Sequence, residues 1–355
     1  MAPSWKDMHP DGPIAPIAPF DTLESTGLAR AYFVSDAASG LRAIIAIDDL
    51  TLGPGAGGVR TRPYATVPAA LADAARLSRA MTMKCSLGGL DAGGAKAVIL
   101  DHRGLDRERA FTILGQRIEE LGGLFRTAGD LGTTAEDLAV MAKQTEYVHT
   151  DEVDLSAAVA RGLLRCVEAC AERRGVEVPG LRIAVQGIGA IGAAVARTLS
   201  DVGAELIIAD LDHEKTMTLA ALIGARAVPS DAILTEKVDV VCPCAVGGVL
   251  TTESVAALDA WAVVPGANNT LADSEAGDLL HSRGILFVPD VISSAGAVVD
   301  GIGKTVMGIS DRTHLIDRLG KTAQVVLAQS DTQGRPTSAV ARAIALERIA
   351  AAKIP

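Results

Sequence analysis

The chain has 355 residues, of which 49% are apolar, and its formal net charge at pH 7 is −10. This length is sufficient for two domains with separate cores, while the charge argues against nucleic acids and anionic membranes as partners. No run reaches the ~18 uncharged apolar residues that a membrane span requires. The five cysteines and six histidines show no disulfide or metal-binding spacing. We therefore expect a cytoplasmic protein without a metal site.

The chain begins with a segment that has no regular apolar pattern. Residues 1–20 contain proline, aspartate and histidine where a signal peptide would have a continuous apolar core, so we predict a flexible tail. The first domain is then expected at 21–150. It opens with β-rich runs at 31–34 and 43–47. The glycine-rich segment 53–60 follows them and predicts a turn whose backbone passes close to another group.

Two lysines stand out in the next part of the chain. A threonine and a proline at 66–68 are typical of the start of a helix, which we predict to about Met81 and which precedes Lys84. Four glycines and several apolar residues separate Lys84 from Lys96. A lysine, unlike an arginine, loses its proton readily when it is buried or lies beside another cation. The pair therefore indicates one fixed cation and one titrating amine, with glycine backbone open to a ligand. Two solvent-directed lysines at a turn are the alternative.

A carboxylate follows at the end of a later strand. We predict a strand at 96–100, then an amphipathic helix, then a strand at 124–128. The buried face of this helix is expected to contain Phe111, Leu114, Ile118 and Leu121. Asp130 lies between two glycines, after the second strand and before another helix. It is a candidate catalytic residue, with a role as a turn or cap residue as the alternative.

The second domain, expected at 151–330, has the pattern of a dinucleotide-binding fold. A buried strand at 181–186 leads directly into G-I-G-A-I-G at 187–192, and an alanine-rich helix follows. Glycines in this context form a tight turn, admit a pyrophosphate and let the helix pack on the strand. Asp210 ends the next strand, where a carboxylate would accept a hydrogen bond from a ribose 2′-hydroxyl and repel a 2′-phosphate. The pattern predicts dinucleotide binding, with NAD preferred to NADP.

Strands and helices continue to alternate after Asp210, as in a doubly wound parallel sheet. Ligands bind such sheets at the carboxyl ends of the strands. We place the loops 243–245, 266–269 and 289–296 at that edge. The second loop holds two asparagines, at 268 and 269, and turn formation is the alternative to ligand binding for both.

The last segment of the chain predicts a single helix. We expect 331–355 to form a C-terminal helix, with its core at 338–351, that packs back on the first domain. The apolar residues available for this packing are Val340, Ile344, Leu346 and Ile349.

A series of motifs, in a fixed order, carries a resemblance to a known family. They read L-G-P-G-A-G-G-V-R (52–60), M-T-M-K (81–84), G-G-A-K-A-V-I (93–99), A-G-D-L-G-T-T (128–134), V-Q-G-I-G-A-I-G (185–192), C-P-C-A-V-G-G-V (242–249), G-A-N-N (266–269) and P-D-V-I-S-S-A-G (289–296). Over nearly its whole length after the tail, the chain resembles the Glu/Leu/Phe/Val amino-acid dehydrogenases, and among them the short leucine and phenylalanine dehydrogenases most.

The resemblance implies a two-domain α/β fold and a specific reaction. The N-terminal α/β domain would bind substrate and govern assembly into a homo-oligomer, and the C-terminal domain would be a doubly wound Rossmann domain. The reaction would be the reversible oxidative deamination of an L-amino acid to its 2-oxo acid and ammonia, with NAD as the cofactor.

The resemblance also implies a role for each residue of the lysine and aspartate set. Lys84 would bind the substrate carboxylate, and Lys96 would be the general base that activates water against the iminium. Asp130 would relay protons to and from the amino group, and Asn268 would contact both substrate and nicotinamide. The chemistry agrees, because Lys84 and a closed cleft would both lower the pKa of Lys96 towards the working pH.

Further residues fall at positions that belong to the family's substrate and cofactor sites. For the substrate these are Ala56, Gly57, Gly58, Ala128, Val298 and Gly301. For the cofactor they are Gly187, Gly189, Ala190, Ile191, Gly192, Asp210, Cys244, Ala245 and Asn268. The small pocket residues favour an amino acid with a large apolar or aromatic side chain over glutamate. The acidic residues Asp151, Glu152 and Asp154 would favour a basic substrate if they lined the cleft, and a solvated loop is the alternative.

Two positions depart from the family pattern. Val159 stands where a threonine hydroxyl is expected, and the lost hydroxyl would weaken nicotinamide placement by about 1 kcal/mol. Ser294 replaces the asparagine of the P-D-x-x-x-N motif. These changes leave two alternatives open. One is a catalytically weak or silent NAD-binding paralogue, and the other is a related dehydrogenase with an atypical amine or imine substrate.

Overall fold

A computed structural model describes residues 18–28, 30–150 and 155–353. Most of the expected tail, and the acidic residues at 151–154, lie outside the described residues. The described part is built on two β-sheets with helices packed against them, and the predicted α/β fold class is confirmed. No helix in this part is long and apolar enough to cross a membrane.

The first sheet carries the N-terminal part of the chain. Its elements are α1 (Ala18–Thr26), β1 (Arg30–Asp36), β2 (Leu41–Asp49), β3 (Gly55–Arg62), α2 (Val67–Leu87), β4 (Gly93–Leu100), α3 (Arg107–Glu120), β5 (Phe125–Gly129) and α4 (Ala135–Ala142). The strand order is β1-β2-β4-β3-β5, with β2 antiparallel to both of its neighbours and β3 parallel to β4 and β5. Helix α2 packs on one face of the sheet and α3 on the other. The central strands are therefore buried on both sides.

Strand β3 corrects the prediction of a turn at 53–60. A Cβ on Gly57 would lie 1.7 Å from the carbonyl oxygen of Ala95, and one on Gly58 would lie 2.6 Å from that of Gly129. Side chains at these positions would collide with backbone, so the glycines are required by close packing of three strands rather than by a turn. The group that the backbone of β3 approaches is therefore the backbone of the neighbouring strands β4 and β5.

Helix α2 is longer than the sequence predicts. Thr66 caps its N-terminus, as expected, because its side chain accepts a 3.2 Å hydrogen bond from the backbone N–H of Ala69. The helix then continues past Met81 to Leu87. Lys84 therefore lies within the helix rather than after it.

A glycine sets the distance between α2 and β4. A Cβ on Gly94 would lie 2.2 Å from the backbone nitrogen of Thr82, so only glycine permits this approach. The close contact places the helix that carries Lys84 directly against the strand that carries Lys96.

The second sheet carries the C-terminal part of the chain. Its elements are α5 (Leu155–Arg174), β6 (Arg182–Gln186), α6 (Ala190–Asp201), β7 (Glu205–Ala209), α7 (His213–Ile223), β8 (Arg226–Ala227), β9 (Val240–Pro243), α8 (Thr252–Ala257), β10 (Ala262–Val263), α9 (Ser274–Ser282), β11 (Leu286–Phe287), α10 (Asp290–Ser293), α11 (Gly296–Thr305), α12 (Thr313–Gln333) and α13 (Thr337–Ala352). The strands pair in parallel in the order β11-β10-β9-β6-β7-β8. This order has the reversal between β6 and β9 that marks a doubly wound sheet.

The segment 289–296 is largely helical, where the sequence analysis predicts a loop. Helix α10 occupies Asp290–Ser293, and α11 begins at Gly296. A Cβ on Gly296 would lie 2.0 Å from the carbonyl oxygen of Ala158 and 2.8 Å from the Cα of Val159. The start of α11 therefore packs directly on α5. Val159 is buried in this contact.

The C-terminal helix α13 packs against α2 of the N-terminal part. The hydroxyl of Ser86 donates a 2.9 Å hydrogen bond to the carbonyl oxygen of Ala345. Val340 and Ile349 are buried, whereas Leu346 is 42% exposed, so the expectation that Leu346 packs inside is wrong. The domain bounds proposed from the sequence stay predictions.

Candidate active site

Three charged side chains from neighbouring strands of the first sheet lie together. Lys96 on β4 donates a hydrogen bond from Nζ to Oδ2 of Asp130, directly after β5. Arg60 on β3 donates a 2.9 Å hydrogen bond from Nε to Oδ1 of the same carboxylate. The side chains of Lys96 and Asp130 are 5% and 20% exposed. Three neighbouring strands thus place two cations on one largely buried carboxylate.

Lys84 connects the two parts of the chain. Its Nζ donates hydrogen bonds to Oδ1 of Asn268 at 2.6 Å and to Oγ of Ser294 at 2.9 Å. The Ser294 hydroxyl also lies 2.7 Å from the carbonyl oxygen of Asp290, to which it can donate. The contacts of Lys84 with the C-terminal part of the chain are therefore with uncharged oxygen atoms. Its positive charge is left without an anion in direct contact among the described residues.

Burial is the largest cause that changes the protonation of both lysines. It lowers the pKa of Lys84 to about 8, with Asp290 opposing this effect and Lys96 adding to it. Burial also lowers the pKa of Lys96, against the opposing effect of Asp130. A lysine with a lowered pKa can exchange a proton near the working pH of an enzyme. The site can therefore offer a cation for a carboxylate and an amine that accepts a proton.

The two asparagines of the 266–269 loop have different positions. Asn269 adopts a left-handed backbone conformation with φ of 53°, and its N–H donates a 2.7 Å hydrogen bond to Oδ2 of Asp290. Asn269 therefore shapes the turn, which is the alternative that the sequence left open for both residues. Asn268 instead directs its side chain to Lys84.

The glycine loop after β6 leaves one open position among close contacts. A Cβ on Gly187 (φ 83°) would lie 2.6 Å from the Cβ of Ala245, and one on Gly192 would lie 1.8 Å from the carbonyl oxygen of Gly187. A Cβ on Gly189, in contrast, would meet nothing within 4 Å. Helix α6 starts directly after it, at Ala190, without a side-chain cap. Backbone N–H groups at such a helix start bind anions. The open space in front of Gly189, which we call the cradle, therefore fits a pyrophosphate.

Asp210 is tied to the same loop. Its Oδ2 accepts a 2.7 Å hydrogen bond from the backbone N–H of Ile188, and its Oδ1 accepts one of 3.1 Å from Asp212. Partial burial raises the pKa of Asp210, but these N–H groups outweigh it, so the net pKa lies below the usual value. Cys244 is buried at the end of β9 and Ala245 is exposed beside the loop. The residues expected to bind the cofactor thus lie around one edge of the sheet.

The residues expected to line the side-chain pocket lie on three elements. Ala56, Gly57 and Gly58 lie in β3, Ala128 lies in β5, and Val298 and Gly301 lie in α11. Ala56 is fully buried, whereas Val298, Gly301 and Ala128 are half-buried. An added Cβ on Gly301 would meet nothing within 4 Å. Of the three glycines in this set, Gly301 alone has room for a larger group.

The site contains residues that are not predicted from the sequence. Arg60 ends the first glycine-rich motif, and Asp290 belongs to the P-D motif, but no feature of the sequence indicates a role for either side chain. Ser294 is noted only as a departure from the family pattern. The hydrogen bonds of Arg60 to Asp130 and of Ser294 to Lys84 place both side chains inside the site.

Two family models match the chain. The model described as Glu/Leu/Phe/Val dehydrogenase, dimerisation domain, matches residues 30–147. The model described as Glutamate/Leucine/Phenylalanine/Valine dehydrogenase matches residues 207–353. The first match ends shortly after the segment that carries Lys84, Lys96 and Asp130, and the second covers Asn268 and all later residues of the site.

Named relatives are similar over most of their length. The leucine dehydrogenase of Bacillus subtilis (strain 168) is 35% identical over 341 residues, which is 93% of each chain. The phenylalanine dehydrogenase of Lysinibacillus sphaericus is 37% identical over 282 residues, or 75% of this chain and 74% of that one. Among solved structures, L-tryptophan dehydrogenase from Nostoc punctiforme superimposes with a TM-score of 0.84 at 30% identity, covering 95% of this chain and 100% of that chain.

Proposed function

The chain belongs to the Glu/Leu/Phe/Val dehydrogenase family, and from this premise we propose the reaction and substrate class of this amino-acid dehydrogenase. The reaction is the reversible, NAD-dependent oxidative deamination of an L-amino acid with a large apolar or aromatic side chain. The observation that carries the proposal is the convergence of four side chains at the junction of the two sheets. These are Lys84, Lys96, Asp130 and Asn268.

Each side chain has a task that its surroundings support. When bound, the nicotinamide would accept the hydride from the substrate Cα. Lys84 binds the substrate carboxylate, since its own partners are uncharged oxygen atoms. Lys96 accepts a proton from the water that adds to the iminium carbon. Asp130, which is in contact with Lys96, relays this proton to the nitrogen, which then leaves as ammonia. Lys96, neutral again, takes the proton of the remaining hydroxyl group, and this step gives the 2-oxo acid.

The preference for NAD rests on the glycine loop and Asp210. The open cradle at Gly189 accepts a pyrophosphate, and the N–H groups that bind Asp210 keep its carboxylate ionised. An ionised carboxylate at this strand end accepts a hydrogen bond from a ribose 2′-hydroxyl and repels a 2′-phosphate. We therefore expect NADH to be used in strong preference to NADPH.

The substrate class rests on the small residues of the pocket and on the relatives. The relatives are named for leucine, phenylalanine and tryptophan. Gly301 leaves open space beside α11, and small residues also stand at the other pocket positions. A pocket lined by small apolar groups accommodates a large apolar or aromatic side chain.

The decisive experiment is a panel of 2-oxo acids with ammonia, followed by NADH oxidation. The series runs from pyruvate through branched aliphatic to aryl-pyruvates, with 2-oxoglutarate and NADPH as controls. We expect kcat/KM to rise with the size of the apolar side chain. The opposite result is no turnover across the panel while NADH still binds, and it would favour the silent paralogue that the Val159 and Ser294 departures left open.

Assembly is a separate part of the proposal. The N-terminal family model is described as a dimerisation domain, so we infer that the chain forms a homo-oligomer of at least two copies. Light scattering coupled to size-exclusion chromatography would test this. A particle of 36.4 kDa, the mass of one chain, would contradict it.

A further inference from the structure

Lys96 has a neighbour that opposes its use as a base. A carboxylate in direct contact with a lysine stabilises the ammonium form, whereas a general base must be unprotonated near the working pH. Asp130 makes such a contact with Lys96. Unless another group shares the charge of Asp130, Lys96 would keep its proton to a higher pH than the reaction requires.

Arg60 is placed to share that charge. Its Nε donates a 2.9 Å hydrogen bond to Oδ1 of Asp130, which is the oxygen that Lys96 does not bind, and its side chain is 15% exposed. A second ion pair holds the guanidinium from the other side, because Nη1 lies 3.3 Å from Oδ2 of Asp73. The hydroxyl of Tyr64 donates a 2.8 Å hydrogen bond to the same oxygen of Asp73. Arg60 is therefore fixed by two carboxylates, and Asp130 is fixed between two cations.

We propose that Arg60 is a positioning residue for the deamination reaction, which holds the second oxygen of Asp130 and thereby frees Lys96 to act as a base at a lower pH. This inference rests on the proposed function. Arg60 takes no part in proton transfer itself, because an arginine keeps its proton under all working conditions. It acts on Lys96 only through the shared carboxylate and through its charge.

The charged groups around Lys96 determine how strongly Arg60 changes the protonation of Lys96. Asp130 follows β5, Arg60 lies on β3, and both Asp73 and Lys84 lie on α2. Burial lowers the pKa of Lys96, Asp130 raises it, Arg60 lowers it and Asp73 raises it. Since Asp73 partly neutralises Arg60, loss of the Arg60 charge and loss of the Asp73 charge should change Lys96 in opposite directions.

The test compares the pH dependence of kcat/KM for oxidative deamination in the wild type, Arg60→Gln and Asp73→Asn. One amino acid serves as substrate throughout, so its own titration cancels between variants. In Arg60→Gln we expect the midpoint of the rising limb to move up by about one pH unit, because one nearby charge changes a pKa by about 1 to 3. In Asp73→Asn we expect the midpoint to move down, because Arg60 then acts on Asp130 at full strength.

Arg62→Gln is the matched control, since it removes the same charge from the same strand. Arg62 is exposed, and its guanidinium lies 5.3 Å from the ring centre of Tyr64. The midpoint of Arg62→Gln should remain at the wild-type value. Arg60→Lys keeps the positive charge, so its midpoint should lie closer to that of the wild type than to that of Arg60→Gln. A purely structural role of Arg60 would lower kcat/KM at every pH without moving the midpoint. That outcome, or shifts of the same sign in Arg60→Gln and Asp73→Asn, would overturn the proposal.

A failure of the proposed function would be recognised separately. If the wild type deaminates no amino acid, the protonation of Lys96 is followed by its reaction with acetic anhydride across a pH series, with peptide mass spectrometry. The yield is normalised to its plateau, so that the midpoint reports protonation rather than access. The midpoint in Arg60→Gln should again lie about one pH unit above the wild-type value. Equal midpoints overturn the proposal, and the downward shift in Asp73→Asn provides the test if Arg60→Gln does not fold.

Discussion

Lys84 and Lys96 have the same side chain, and their partners assign them different tasks. Lys84 contacts amide and hydroxyl oxygens from Asn268 and Ser294. Lys96 contacts Asp130, which can pass a proton onward. A cation that faces uncharged oxygen atoms keeps its charge available for a carboxylate, whereas an amine next to a carboxylate can exchange a proton with it.

Removal of the amine of Lys96 provides the simplest test of this division. We expect Lys96→Ala to lower kcat by a factor of about 10² to 10⁴, the usual contribution of a general base. The affinity for NADH, measured by fluorescence titration, should stay unchanged because the glycine loop lies on the other sheet. Lys143→Ala, which removes an exposed lysine from the end of α4, is the control. Near-normal turnover in Lys96→Ala would contradict the mechanism.

The protonation of Lys84 predicts how carboxylate binding depends on pH. Burial lowers the pKa of Lys84 to about 8, so its ammonium form predominates below this pH and is lost above it. A carboxylate ligand needs the ammonium form. We therefore expect the affinity for a non-reacting carboxylate analogue to be nearly constant below about pH 8 and to fall by about tenfold per pH unit above it. Inhibition constants across the pH range would show this, and constant affinity up to about pH 10 would contradict it.

The chemistry of single residues could be predicted from the sequence where it depended on residue type. Two lysines separated by a glycine-rich segment, and an aspartate directly after a strand, indicated Lys84, Lys96 and Asp130 as candidate site residues. Arg60 could not be found this way. Alternation of side chains along β3 would have placed it on the face of Lys96, but Gly57 and Gly58 have no side chains to show that alternation.

At the scale of elements, the same lack of side chains explains why the prediction of a turn at 53–60 is wrong. A strand is recognised by alternating or β-branched side chains, and glycine-rich β3 offers few of them. The segment is a strand because its neighbours leave no space for side chains, which is a property of the sheet rather than of the segment. A strand–glycine–helix pattern, in contrast, lies within consecutive residues, so the position of the loop at 187–192 could be predicted from the sequence.

The glycines of that loop separate packing from cofactor binding. Gly189→Ala should lower the free energy of unfolding by at most about 1 kcal/mol, because its Cβ meets open space and only the preference for glycine at the N-cap of α6 is lost. The same Cβ would enter the cradle, so we expect NADH affinity to fall by about tenfold, or about 1.4 kcal/mol. Gly192→Ala should instead destabilise the fold by about 1 to 3 kcal/mol, because its Cβ would lie 1.8 Å from the Gly187 carbonyl oxygen.

Thermal unfolding and NADH titration of the two variants measure these effects independently. If Gly189→Ala binds NADH as tightly as the wild type, the cradle is not the pyrophosphate site. If Gly192→Ala is as stable as the wild type, Gly192 does not pack closely against the carbonyl group of Gly187.

At the scale of the whole molecule, the substrate site depends on contacts between the N-terminal and the C-terminal parts of the chain. One core cluster contains residues of α2, among them Cys85 and Leu87, and residues of the C-terminal part such as Val299 and Ala345. Helix α2 carries Lys84, and the helices that follow the second sheet pack on the last turn of α2. We predict from the sequence that the last helix packs back on the first domain, but its periodicity shows only an apolar face and not the residues that this face contacts.

Arg348 on α13 is the polar link in this contact. Its guanidinium donates hydrogen bonds to the carbonyl oxygens of Cys85 at 3.2 Å, Ser86 at 3.0 Å and Leu90 at 2.9 Å. The last carbonyls of a helix have no partners within the helix, and a cation there also interacts favourably with the helix dipole. Arg348 therefore caps the end of α2 a few residues beyond Lys84.

We expect Arg348→Ala to affect both stability and substrate binding. Loss of these bonds should lower the free energy of unfolding by about 1 to 3 kcal/mol. Because the end of α2 would loosen, the KM for the 2-oxo acid should rise, while NADH affinity stays constant. Arg342→Ala, at an exposed position of the same helix, should change neither quantity. A variant of Arg348 that is less stable but has the wild-type KM would show that α13 supports the fold without positioning Lys84.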